Sequence, residues 1–146
     1  MGTIRLFAPE CAALLACLLA GTASAQSFDG TWRGELSCAK LSFTKVGQRV
    51  PIELVVSGGK VTFQRQVWDQ KNVAVVGTES GAGEIAANGA ITLTGSWQAA
   101  SSQARYTYTS SYRGNLSGTS GRLDGVQIWV VDGATETRAC SIQLKR

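Results

Sequence analysis

From Thr31 onward, apolar residues in this chain recur at every second position and nowhere convincingly at every third or fourth. Side chains alternate between the two faces of a strand, so this period means β-strands with one buried face. Trp32, Gly34, Leu36 and Cys38 share a face against Arg33, Glu35 and Ser37. Val50, Ile52, Leu54 and Val56 share one between Arg49 and Val56, as do Val61, Phe63 and Val67 between Lys60 and Trp68. Gly58-Gly59 joins the two as a tight hairpin, because adjacent glycines accept the positive φ of such turns. Asp69-Gln70-Lys71-Asn72 is turn chemistry, Val73 to Thr78 a short strand, and Ser80 to Gly83 a glycine-rich break. Asn88-Gly89 is expected to form a type I′ turn between Glu84–Ala87 and Ala90–Trp97, ahead of a polar loop from Gln98 to Ala104. Arg105 to Leu116 carries Tyr106, Tyr108, Tyr112 and Leu116 on one face. Val126 to Val131, the turn Asp132-Gly133, and Thr135 to Leu144 complete the chain, with Cys140, Ile142 and Leu144 in phase.

About eight short strands at regular spacing fit an all-β antiparallel barrel or a sandwich. The cysteines decide between them. Arg5, an apolar run from Cys11 to Gly21 and the small residues Ala23-Ser24-Ala25 have the order of a secretory signal peptide. Cleavage near Ala25 is expected to leave residues 26–146 as one β-barrel domain in the periplasm or secreted. Leu14-Leu15-Ala16-Cys17 loosely matches a lipidation site, but Leu18 and Leu19 stand where a polar tether belongs, so a lipoprotein anchored through Cys17 is not expected. Cys11 and Cys17 leave with the leader. Cys38 and Cys140 then face an oxidising compartment and are expected to pair. A disulfide needs its Cα atoms within about 7 Å. The first and last strands must therefore meet, and a meander whose ends meet is a closed up-and-down barrel without exposed edges.

Phe28-Asp29-Gly30-Thr31-Trp32, followed by Cys38, and the closing Arg138-Ala139-Cys140-Ser141-Ile142-Gln143-Leu144 resemble a group of small exported proteins of Gram-negative bacteria with no assigned activity. That resemblance implies export and fold and supplies no chemistry. Gly30-Thr31-Trp32 is also similar to the start of calycin barrels, the lipocalin and avidin superfamily. Such barrels pack an arginine of the last strand on that tryptophan, and Arg138 is the tempting counterpart. Pairing of Cys38 with Cys140 instead sets Trp32 opposite the region of Arg146. The chain is thus calycin-like in shape.

Histidine is absent, which removes the Ser-His-Asp triad, the Cys-His pair and histidine-ligated metal sites together. Two cysteines alone make a poor metal site, so no metal and no cofactor is expected. Glu35, Glu53, Asp69, Glu79, Glu84, Asp124, Asp132 and Glu136 mostly alternate with apolar residues or sit in turns, as solvated carboxylates do. A carboxylate-dependent hydrolase is the last-ranked reading. Arg5 and Glu10 cancel, so cleavage leaves the net charge at +4. That charge suits a small ligand or an anionic envelope polymer, and no dense Lys/Arg run calls for nucleic acid.

Trp32, Trp97, Tyr106, Tyr108 and Tyr112 are expected to point inward, either filling the core or lining a ligand cavity. Trp68 and Trp129 fall out of phase with their apolar neighbours and are expected outside, where Arg65, Arg105 and Arg113 would complete a surface for sugars or a protein partner. The leading expectation is an exported, non-enzymatic binding module for an envelope component, glycan or small ligand. A periplasmic inhibitor of lysozyme type is second, since its usual targets are basic and a +4 chain is electrostatically disfavoured. No segment after residue 25 reads as a membrane span.

Overall fold

The computed structural model describes residues 27–69, 71, 73–102 and 105–146. The expected signal peptide, its cleavage near Ala25, and Cys11 and Cys17 lie outside the described residues. The strands are β1 (Gly30–Cys38), β2 (Gln48–Ser57), β3 (Lys60–Trp68), β4 (Val75–Ile85), β5 (Ala90–Ala99), β6 (Tyr106–Ser117), β7 (Ser120–Val131) and β8 (Ala134–Lys145). Each pairs antiparallel with the next, and β8 returns to β1, closing an eight-stranded barrel. No described residue is helical, so none belongs to a membrane-spanning helix.

Cys38 stands directly opposite Cys140 in the β1–β8 ladder, and the two are bonded, with Cα atoms 4.0 Å apart. That ladder runs only from Arg33↔Lys145 to Cys38↔Cys140, whereas β7 and β8 pair along their whole length. The bridge therefore sits on one of the short seams of the barrel. The same register carries Trp32 toward Arg146, whose guanidinium lies 6.0 Å from the indole centroid. Arg138, which the calycin resemblance suggested as the partner of that indole, lies over Trp129 instead.

Two turns reach type I′ geometry. Gly58 and Gly59 both have positive φ, and so do Asp132 and Gly133. Asn88-Gly89 does not follow the expectation. Only Gly89 has positive φ, and Ala86 N–H donates to Ala90 O across a wider loop. The expected break at Ser80 to Gly83 is also absent, since β4 runs unbroken through it. Its glycines mark close approach instead of a turn. A Cβ on Gly81 would stand 2.2 Å from the Phe63 ring, and one on Gly77 would stand 2.2 Å from the indole of Trp97.

The interior has two halves. Phe28, Trp32, Leu36, Leu54, Leu116 and Ile142 belong to the larger apolar cluster, at the end where Phe28 enters β1. Trp32 Nε1 donates to Phe28 O at 2.9 Å, satisfying the indole and closing that end. The opposite end carries the β1–β2 loop (residues 39–47) and a smaller cluster of Leu41, Val67, Trp97, Tyr108 and Trp129.

Because the bridge closes a loop of 102 residues, Cys38→Ser and Cys140→Ser should lose the same constraint. Each is expected to cost about 2–5 kcal/mol in urea unfolding, with the two variants equal and no free thiol titrating in oxidised wild type. Unequal losses, or a titratable thiol, would contradict the assignment.

Candidate functional site

The strand phases deliver more than apolar side chains to the loop end of the barrel. Glu79 on β4 is 0 % exposed, although its neighbours on the inward face are glycines. It faces Arg65 across the β3–β4 ladder. Arg65 Nε and Nη2 donate to its carboxylate at 2.8 and 2.6 Å. Tyr108 Oη donates to the same carboxylate at 2.9 Å, and Ser110 Oγ at 2.8 Å. Both oxygens are thus engaged, and Glu79 is held by Arg65, Tyr108 and Ser110 together.

A second polar group adjoins the first. Gln127 on β7 faces Arg138 on β8 in register. Its Oε1 accepts from Arg138 Nε at 2.9 Å, Arg138 Nη2 at 2.6 Å and Trp129 Nε1 at 3.2 Å. Its Nε2 donates to Tyr112 Oη at 3.2 Å. Arg138 Nη2 also donates to Gln48 Oε1 at 2.7 Å. Arg138 is only 5 % exposed, and its guanidinium lies 4.9 Å from the Trp129 ring centroid.

Aromatic rings overlie this polar layer. Trp97 stacks on Tyr106 with centroids 4.5 Å apart, and Tyr108 stacks on Trp129 at 4.3 Å. Phe43 of the β1–β2 loop tilts against Trp129 at 5.9 Å. Leu41 of the same loop is buried in the cluster and plugs the mouth. Thr44 Oγ1 accepts from Leu41 N–H, and the N–H and Oγ of Ser42 both donate to the Glu136 carboxylate at 2.7 Å. Trp97 Nε1 is the one sealed side-chain polar atom without a partner among the described residues.

Electrostatics follow from burial. Burial first, then the Glu79 charge, pushes both tyrosine hydroxyls up: Tyr112 to about 12, and Tyr108 further still. Burial pulls Arg138 below the usual arginine value.

The interior residues named from the sequence divide between the halves. Trp32 sits in the apolar cluster, and Tyr112 touches both it and Gln127. Trp97, Tyr106 and Tyr108 line the loop end. The surface set does not stay together. Trp68 is outside, 47 % exposed, and Arg105 is outside, paired with Asp132. Arg113 is also exposed, but it stands opposite Asp124, nearer the far end of β6. Trp129 and Arg65 are corrections. Trp129 is only 7 % exposed, and the Arg65 side chain is buried on Glu79. The reason is the phase of β7: Leu123, Gln127 and Trp129 face inward while Ile128 and Val130 face solvent. A polar layer at that level accepts Gln127, so the apolar face of the strand turns outward.

Ser110, Gln127, Arg138 and Gln48 escaped the sequence reading as site residues, and Glu79 was counted among solvated carboxylates. The signal was phase. Ser110 is in phase with Tyr108 and Tyr112, and Arg138 with Cys140 and Ile142, so each polar residue shares an inward face.

Comparison with known proteins adds little. No family model and no curated protein matches the chain. Among solved structures, the crystal structure of the ywiB protein from Bacillus subtilis is similar at a TM-score of 0.41 and 10% identity, over 79% of this chain and 89% of that one.

Two outcomes test this layer. Glu79→Gln strands the Arg65 charge and should cost about 3–5 kcal/mol in urea unfolding, whereas Arg65→Met with Glu79→Leu should recover most of that loss. A double variant as unstable as the single would contradict the ion-pair account. In alkali, folding holds the tyrosine protons more tightly than the unfolded chain does. Stability should therefore be intact below pH 10 and fall as pH rises from 10 toward about 12, by up to about 1.4 kcal/mol per pH unit for each group. Tyr112→Phe should remove its share of that slope, and an unchanged slope would refute the assignment.

Proposed function

We propose that this protein is an exported, non-enzymatic binding module that holds a small ligand or part of an envelope component at the loop end of its barrel. One observation carries the reading. The chain fills one half of its interior with apolar side chains, yet buries two arginines, a glutamate, a glutamine and a serine in the other. Buried ion pairs are often no better for stability than well-packed apolar residues. Polar groups kept at such a cost commonly mark sites of function. The layer also lies beneath the long β1–β2 loop, and rigid barrels carry their recognition at loop ends.

Export is supported by the leader-like order of residues 1–25 and by a disulfide that needs an oxidising compartment to persist. The engagement of both Glu79 oxygens speaks against acid–base catalysis.

The test is native mass spectrometry of the protein recovered from its own host's envelope, set against the denatured mass. A retained excess of a few hundred daltons is expected, and it should be lost in Tyr106→Ala, which opens the half-buried edge of the ring stack. Equal masses, together with thermal unfolding that no envelope extract shifts, would overturn the reading.

A further inference from the structure

We propose that Arg138 is the anchor of an anion site, and that the ligand of this module carries a carboxylate or a phosphate group. The inference rests on the binding-module reading and adds the charge of the ligand.

The interior charge does not balance. Arg65 is matched by Glu79. Arg138 is equally interior, and among the described residues no carboxylate lies within ion-pair distance of it. Its hydrogen bonds go to two neutral amide oxygens, Gln127 Oε1 and Gln48 Oε1. Its Nη1 has no hydrogen-bond partner among the described residues. Trp97 Nε1 alone is sealed and unpartnered, so Nη1 keeps contact with solvent. Buried charge is costly without a counter-charge, and a guanidinium presents a fork that fits carboxylate and phosphate oxygens. The Trp129 face beneath it stabilises the cation without taking up any of its N–H donors.

One neighbour of this group, Gln48, borders open space. An open groove of about 610 Å³ runs over the Cys38–Cys140 bridge. Gln48 lines it, together with Ala39, Gly47, Ala139, the cation Arg49, which pairs with Glu35, and the carboxylate Asp124, which is matched by Arg122. Gln48 is also the residue that caps Arg138 Nη2. An anion entering along the groove meets Arg49 first, displaces the Gln48 amide, and takes its place on Arg138. Ala39, Gly47 and Ala139 give the groove a small apolar strip, which suits a ligand whose anionic head has a carbon body.

The test compares octyl phosphate, octanoate, inorganic phosphate and neutral octyl glucoside on the whole oxidised protein, read by tryptophan fluorescence and thermal unfolding. Gln48→Glu supplies a carboxylate to Arg138 in place of the ligand, and Arg138→Met removes the charge. Wild type should bind an anionic probe in preference to octyl glucoside, with quenching of Trp129. Both variants should bind at least about tenfold more weakly. Gln48→Glu should also unfold at a higher temperature than wild type, which separates lost binding from lost structure. Binding of inorganic phosphate as tight as octyl phosphate would assign a free anion. A requirement for the octyl chain would assign an amphiphile head group. Equal binding of octyl glucoside and the anions, or undiminished binding in Gln48→Glu, would overturn the proposal. If native mass spectrometry finds a neutral ligand, the binding module stands and the anion site falls.

Discussion

Closure of β8 onto β1 is the constraint from which the rest of this structure follows. An eight-stranded sheet left open would expose two edges with unpaired backbone groups. Closed, it satisfies them and makes an interior just wide enough to be filled by side chains. The closing ladder is short, and the Cys38–Cys140 bridge lies at its end, where the β1–β2 loop departs. The bridge also fixes register. A slip of one residue would turn Trp32, Leu36, Ile142 and Leu144 out of the core together, so the covalent link and the apolar pattern enforce the same alignment.

A second short seam lies opposite in character. The β2–β3 ladder covers only Leu54–Ser57 against Lys60–Phe63, beside the Gly58-Gly59 turn. Beyond it the strands pair on their outer sides only, β2 with β1 and β3 with β4. Beyond the turn no disulfide ties this seam among the described residues. The strands stay in place because Ile52, Phe63 and Val67 remain buried and because Arg65 is held by Glu79 on the neighbouring strand. The ion pair is thus part of the wall as well as part of the interior.

The division of the interior sets two kinds of packing side by side in so small a domain. The apolar half, with Trp32 fully buried and its indole bonded to Phe28, supplies burial energy without directional demands. The loop half is built from hydrogen bonds, which specify geometry more than they stabilise. Glu79 and Gln127 each gather several donors, and together they fix the rings of Tyr108, Tyr112 and Trp129. Leu41 and Phe43 cover that layer from a loop tied down mainly by Glu136 and Thr44, through exposed or half-buried hydrogen bonds. The covering loop is therefore the less stable element over the more specified site.

What the sequence determined by itself was the strand pattern, two of the tight turns, the meeting of the first and last strands, and the inward phase of Trp32, Trp97 and the tyrosines. These are local matters of alternation, turn chemistry and one long-range covalent bond. The tertiary structure alone decided that Trp129 and Arg65 face inward, that β4 passes unbroken through its glycines, and that Glu79 is buried. Hydrophobicity assigns the inside of a strand by assuming an apolar interior. At the loop end of this barrel that assumption fails. Whether a polar residue can be buried depends on partners from other strands, and Glu79 meets Arg65, Tyr108 and Ser110 only once the barrel has closed.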